Sequence, residues 1–387
     1  MSAESDIRQE LQKLQSASLY RTLRSVSSDQ GPVLIVDGRE VLNFSSNNYL
    51  GIANHPDLAA AVKEAIDRYG CGSGASRLIS GNMTPHEELE AKLADFKGTE
   101  AALVFNSGFQ ANTGILSTLA GEGDAIFSDE LNHASIIDGC RLSRAKTIVY
   151  AHCNLERLED GLRAATQYRR KLIVTESIFS MDGDEAPLAE IVELAERYGA
   201  AVMVDEAHAT GLFGATGAGV VAKLGLGDRV LVQMGTLGKA LGGFGAYVAG
   251  SAAVRELLIN RCRSFIFTTS LPPAVMAMAI AAIDLVKREP ERREALWKNC
   301  RRLTTGLRAL GFPAESASPI VPVIIGDAGR CMRFSERLLE RGVFAQGIRP
   351  PTVPSGTSRL RMTLMATHTA EQIDRALKTV KDVNALT

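Results

Sequence analysis

A chain of 387 residues that is 45% hydrophobic and 22% charged can bury a large core, in more than one structural unit. Its net charge of -1 argues against the broad basic field that nucleic acid or an anionic membrane would select, and leaves room for a local pocket holding one phosphate. Cys71, Cys140, Cys153, Cys262, Cys300 and Cys331 form no C-x-x-C pair, which sets aside a zinc ribbon or thioredoxin-like site and fits reduced thiols; no metal is expected.

The start, MSAESDIRQE, has no basic stretch followed by an apolar one, so no secretory signal is read and the expected location is cytoplasmic. Residues 4–17 are predicted as a helix with Ile7, Leu11 and Leu14 on one face. Val33–Val36, the Asp37-Gly38 turn and Val41–Phe44 predict a hairpin, completing an N-terminal segment over 1–48. From about residue 57, helical segments alternate with short apolar strands. These strands are Ala101–Phe105, Ala125–Phe127, Leu172–Thr175, Ala201–Val204 and Val230–Met234. Such alternation predicts an α/β fold, a mostly parallel sheet flanked by helices, here over 49–286. Parallel sheets bind ligands at the carboxyl ends of their strands. Polar residues gather at those ends here, at Asn106, Ser128, Glu176 and Asp205, with Gly235 after the fifth strand.

The longest apolar run, Ala274 to Ile283, is too short to span a bilayer and reads as a buried helix. After the charged stretch Lys287 to Arg293 come a helix, a strand over Ile320–Ile325, a helix over Arg330–Arg341 and an extended Pro-rich segment. The last helix opens with the capping box Thr369-x-x-Gln372 and carries Ile373, Leu377 and Val380 on one face. Residues 287–387 are therefore predicted as a smaller α+β domain. No internal repeat is visible.

Lys239 ends Gly235-Thr236-Leu237-Gly238-Lys239, directly after an apolar run. An amine nucleophile needs a confined pocket, and the small neighbours Gly235, Gly238, Ala240, Gly242 and Gly243 let a bulky ring approach the backbone. The plain alternative is a surface lysine in a Gly-rich loop. Asp205-Glu206-Ala207-His208 closes another apolar strand. An Asp there suits the protonated pyridine nitrogen of pyridoxal phosphate (PLP), with His208 near the ring oxygen. The same D-E-A-H string suggests a helicase, but a helicase needs G-x-x-x-x-G-K-[ST]. The single Gly-Lys dipeptide has Gln233 in place of the first Gly and Ala240 in place of Ser or Thr. Asn106-Ser107-Gly108-Phe109 is a strand-to-helix turn whose N–H groups can hold a phosphate, and His133 precedes another helix, placed to stack on a ring. Gly70 to Arg77 lacks the third Gly of a dinucleotide loop, and Asp182-Gly183-Asp184-Glu185 lacks the remaining ligands of a calcium loop. Arg359-Leu360-Arg361, in a strand-like stretch, offers an arginine to grip a carboxylate.

Together these segments resemble the α-oxoamine synthase family of PLP enzymes, with an aspartate-aminotransferase-like fold, from about Arg21 to the final helix. The strings that carry the resemblance are Asn43-Phe44-Ser45-Ser46-Asn47-Asn48-Tyr49-Leu50-Gly51, Glu176 to Asp184, Val204 to His208 and Thr236 to Lys239. Within the family, Gly347-Ile348-Arg349-Pro350-Pro351-Thr352-Val353-Pro354, followed by Arg359-Leu360-Arg361, resembles the branch of biotin synthesis. That branch joins L-alanine to pimeloyl-CoA or a pimeloyl-acyl carrier protein, with loss of CO2.

The resemblance implies that Lys239 carries PLP, Asp205 pairs with its ring nitrogen, His133 stacks on the ring, and Ser180 and His208 sit near the ring hydroxyl. Gly108, Phe109 and Thr236 help hold the cofactor. Thr268 and Thr269 reach the phosphate of a neighbouring subunit in a homodimer with shared sites. Arg21 and Thr352 contact the acyl substrate, Arg361 takes the amino-acid carboxylate, and Asn47 lines the site. The alternatives are a relative joining glycine to acetyl-CoA, an aminotransferase, or a non-catalytic synthase subunit, against which the presence of Lys239 speaks.

Overall fold

The structure is a computed structural model describing residues 3–315 and 317–386; the outermost predicted residues, 1, 2 and 387, lie outside it. The chain divides into two compact units, one of Met1–Tyr49, Met181–Gly183 and Glu294–Thr387, the other of Leu50–Ser180 and Asp184–Arg293. Among the described residues no helix is long and apolar enough to cross a membrane.

The first unit begins with a helix, Ala3–Ser16, none of whose residues is buried. Its predicted apolar stripe is present but uncovered by this chain, with Ile7 61% exposed. The hairpin forms as β1 (Val33–Val36) and β2 (Arg39–Asn43), with Val33 opposite Leu42.

The second unit is built on a seven-stranded sheet. Its strands are β3 (Ala101–Phe105), β4 (Ala125–Asp129), β5 (Lys146–Tyr150), β6 (Lys171–Glu176), β7 (Ala201–Asp205), β8 (Val232–Thr236) and β9 (Ala246–Gly250). They lie in the order β3-β9-β8-β7-β6-β4-β5, and β9 alone runs antiparallel to its neighbours. Continuous apolar runs become strands here because helices cover both faces. Leu103, Ile126, Val174, Met203, Val232 and Val248 of the sheet share one core with Ile115, Leu116 and Ile136 of the helices.

Two strands, β5 and β9, are absent from the sequence reading. The first is a sheet edge whose side chains are largely half-exposed, so it lacks the apolar signature. The second, Ala-Tyr-Val-Ala-Gly, is short and follows a Gly-rich turn. Strand β8 starts at Val232, two residues later than predicted, because a 3-10 turn, Gly227–Arg229, takes up the chain before it.

The C-terminal part of the first unit adds β10 (Ile320–Gly326), β11 (Val343–Phe344), β12 (Gln346–Ile348) and β13 (Ser358–Thr363). An antiparallel sheet forms in the order β10-β13-β12, while β11 extends the hairpin beside β2. The last helix, Ala370–Asn384, has the expected capping box and buries Ile373 and Val380.

Candidate active site

Four strands of the large sheet, β4, β6, β7 and β8, end in polar residues, and three of those ends meet at a cavity of about 200 Å³ lined by Glu176, Asp205, Thr236 and Lys239. Lys239 lies three residues beyond β8, and its Nζ is 2.8 Å from His208 Nε2. The turn that carries it is fixed from inside: Thr236 Oγ1 donates to the Gly245 carbonyl at 2.9 Å and accepts the Gly238 N–H at 3.2 Å. Gly242 has φ of 65°, and a Cβ there would meet the Ala53 backbone at 2.8 Å, so the turn admits glycine alone.

Asp205 is buried, and both carboxylate oxygens are engaged. Oδ2 accepts from Asn112 Nδ2 at 2.8 Å and Oδ1 from the Ala207 N–H at 2.8 Å. Asn112 also donates to Ser135 Oγ at 2.9 Å. The stretch after Asp205 is anchored by Glu206, whose wholly buried carboxylate pairs with the equally buried Lys97 and accepts the Val221 N–H at 2.9 Å.

His133 caps the helix Ala134–Ser143. Its Nδ1 accepts the Ser135 N–H at 3.2 Å, which leaves the proton of a neutral ring on Nε2. Burial holds this imidazole below its usual range, outweighing the pull of Asp205, and Lys239 adds to the lowering. The ring is therefore flat and neutral. The His133 N–H donates to Glu176 Oε1 at 2.7 Å. Burial, then the charge of Asp205, push the Glu176 carboxyl well above its usual range, and Lys239 offsets only part of this. Glu176 thus stands in a setting that disfavours charge, beside the carboxylate of Asp205.

Of the residues singled out by sequence, Gly108, Phe109, His133, Asp205, His208, Thr236 and Lys239 line this one cavity. Gly108 and Phe109 form the first turn of the helix Gly108–Leu119, whose N-terminal N–H groups suit a phosphate. Ser180, buried beyond β6, and Thr268 and Thr269 lie outside the lining. The two threonines sit beside Asn106, whose Nδ2 donates to Thr268 Oγ1 at 3.3 Å and to the Thr269 carbonyl at 2.8 Å. Asn112, Ser135, Glu176 and Met234 also line the cavity, and no role had been read for them.

The remaining residues belong to the first unit, in two places. Arg361 Nη1 donates to Asn47 Oδ1 at 3.1 Å and its Nη2 to the Tyr49 hydroxyl at 3.3 Å. Arg21 and Thr352 line a separate cavity of about 560 Å³. Arg359 is committed to an ion pair with Asp182. The acidic run after Asp182 serves a different purpose from calcium: Asp184 Oδ2 and Asp129 Oδ1 hold the two ring nitrogens of His152 at 2.8 and 2.9 Å. Burial opposes a charge on His152, but these bonds push it up to about 12, so the ring is an imidazolium with no lone pair for a metal.

A lysine amine, a buried carboxylate, a neutral imidazole and a helix N-terminus around one cavity are the donor set that PLP requires. The family model for aminotransferase class I and II matches residues 39–380. The chain belongs to that family. Within it, the chain is 55% identical over 372 residues to the 8-amino-7-oxononanoate synthase of Geobacter sulfurreducens, covering 95% of each. It is 50% identical over 379 residues to the protein of that name from Thermoanaerobacter pseudethanolicus, covering 97% of this chain and 96% of that one. Among solved structures, a serine palmitoyltransferase from S. paucimobilis with PLP and myriocin bound superimposes with a TM-score of 0.95 at 36% identity, covering 100% and 99% of the two chains. An 8-amino-7-oxononanoate synthase from Francisella tularensis has a TM-score of 0.77 at 30% identity, covering 89% and 98%. The family places this chain among the PLP enzymes with the aminotransferase-like fold, and PLP is its cofactor.

Proposed function

We propose that the chain condenses L-alanine with a pimeloyl thioester to give 8-amino-7-oxononanoate, CO2 and free thiol, a step of biotin synthesis. The observation that carries this is its identity of 55% to a synthase of that name over nearly the full chain, against 36% to the serine palmitoyltransferase whose fold it shares. PLP, when bound, supplies the electron sink for charge left on the amino acid Cα.

Lys239 is the base that removes the α-proton, and His208 Nε2, 2.8 Å away, keeps its amine in place. Asp205, with both oxygens fixed, would hold positive charge on the ring nitrogen of the bound cofactor. The neutral His133 ring, which lines the same cavity, would pack against the cofactor without opposing that charge. Gly108, Phe109, Ser180 and Thr236 hold the cofactor, and Thr268 and Thr269 serve the phosphate of a second copy in a homodimer. Arg361, oriented by Asn47 and Tyr49, takes the alanine carboxylate. Arg21 and Thr352 bind the acyl chain. The deprotonated carbon bonds to the thioester carbonyl, the thiolate departs, and the alanine carboxyl leaves as CO2. The acyl carrier is CoA or acyl carrier protein, and the enzyme works in the cytoplasm.

Thiol release should be measured with alanine, glycine and serine against pimeloyl, acetyl and palmitoyl thioesters. Alanine with pimeloyl should be the preferred pair. Preference for glycine with acetyl, or amino-group transfer without thiol release, would overturn the assignment. Lys239→Ala should remove the visible absorbance of the bound cofactor and lower turnover by about a thousandfold or more.

A further inference from the structure

Asn112 lies inside the helix Gly108–Leu119 and is 1% exposed, so its amide must find every partner within the fold. Its Nδ2 donates one proton to Asp205 Oδ2 at 2.8 Å and the other to Ser135 Oγ at 2.9 Å. Its Oδ1 is buried with no hydrogen-bond partner. Turning the amide over would set Oδ1 against the Asp205 carboxylate, oxygen on oxygen, so the carboxylate dictates which way Asn112 faces. The two donations outweigh the orphaned oxygen that this orientation leaves behind.

The proton order continues through Ser135, which is also 1% exposed. Its Oγ accepts from Asn112 and lies 2.7 Å from His133 Nδ1, while its backbone N–H donates to the same Nδ1 at 3.2 Å. A nitrogen that accepts from the backbone presents its lone pair. The hydroxyl, already supplied by Asn112, therefore gives its own proton to Nδ1. The donors of Asn112 and Ser135 thus point one way, toward His133, and bonds in such a series strengthen one another. Asp205 and Lys239 are the charges that act on the His133 ring, and Glu176 accepts its backbone N–H.

We propose that Asn112 and Ser135 are positioning residues that hold Asp205 and His133 as one unit, Asp205 directly from Asn112 and His133 through the Ser135 hydroxyl. One amide thereby sets both the carboxylate meant for the cofactor's ring nitrogen and the tautomer of the imidazole meant for its face. The inference rests on PLP as the cofactor and on no choice of substrates.

The test follows His133 by NMR of protein labelled with heavy nitrogen at histidine, cofactor-free and PLP-loaded, in wild type, Ser135→Ala, Asn112→Ala and the double variant. Wild type should show a neutral ring with its proton on Nε2, and a proton on Nδ1 instead overturns the series. Ser135→Ala leaves Asp205, Lys239 and Glu176 in place and removes only the hydroxyl. The ratio of imidazolium to neutral ring, read at one pH between about 5 and 7, should then rise about 3- to 10-fold. Asn112→Ala should raise it too. The double variant should match Ser135→Ala within about 2-fold, because Asn112 acts on the ring through the hydroxyl. An unchanged ratio in either single variant, or single effects that multiply in the double variant, overturns the series. Equilibrium dialysis of PLP is the second readout. Asn112→Ala, which deprives Asp205 of a donor, should weaken PLP retention about 10- to 100-fold, and Ser135→Ala by less than about 3-fold. Equal losses, no loss or the reverse order overturns the hold on Asp205. Neither measurement involves substrate or turnover, so failure here is distinct from failure of the proposed reaction. Should Asn112→Ala fail to fold, Asn112→Leu, of similar size and without donors, carries the same comparison.

Discussion

Glutamine at position 176 isolates the proton that the burial of Glu176 retains. Glu176 is 2% exposed, accepts the His133 N–H at 2.7 Å and faces the charge of Asp205. Gln has the shape of the protonated acid: its carbonyl can accept from His133 and its NH2 replaces the acid O–H. The folded pKa lies well above the ordinary value of 4.5, so over the interval between the two the native protein binds a proton that the unfolded chain has released. Stability contributed by this group is therefore complete below about 4.3 and is lost as pH rises toward the folded pKa, by up to about 1.4 kcal/mol per pH unit. Glu176→Gln has no such loss. In urea unfolding of cofactor-free protein, the variant should gain on wild type steadily as pH rises above 5, with an unfolding m-value unchanged. A difference between the two that is the same at every pH, or that moves against the variant, would refute the reasoning, because Glu176 would then be ionised in the folded state.

Other outcomes follow from buried charge elsewhere. Lys97→Met leaves the Glu206 carboxylate buried and unpaired and should cost about 3–5 kcal/mol, measured by urea unfolding; adding Glu206→Gln should recover part, and a cost below about 1 kcal/mol would contradict the pairing. His152, raised from 6.5 to about 12, contributes stability that is fully present below about 6.5 and lost as pH rises toward 12. Wild-type Tm should consequently fall more steeply than that of His152→Asn between pH 7 and 10, and equal slopes would show that the Asp129–His152–Asp184 clamp holds no charge.

The site was legible wherever chemistry sits next to a strand end. Lys239, Asp205 and His133 each follow an apolar run, and a parallel sheet collects such ends on one side. Asn112 escaped because it is a helix-interior amide whose partner, Asp205, is 93 residues away. Glu176 stood within a quoted string, but its task comes from a backbone N–H and a carboxylate that only the fold brings beside it. Arg359 and Arg361 look alike in sequence. Asp182, 177 residues from Arg359, takes Arg359 as its ion-pair partner, a pairing that only the fold brings about. Strand β9 left no signal, since direction within a sheet is a property of pairing and not of side-chain type.

One helix bears on both ends of the cofactor cavity. Gly108 stands at its N-terminus and Asn112, which holds Asp205, lies four residues on, a rise of about 6 Å. Helical rise is set by the backbone geometry, so with the phosphate seated at Gly108 as proposed, this segment would act as a ruler between that seat and the Asp205 carboxylate. A ring whose phosphate arm is lengthened or shortened by one carbon should satisfy only one of the two marks. Analogue affinity would then drop abruptly with arm length, and discrimination between cofactors would rest on backbone spacing more than on any single side chain.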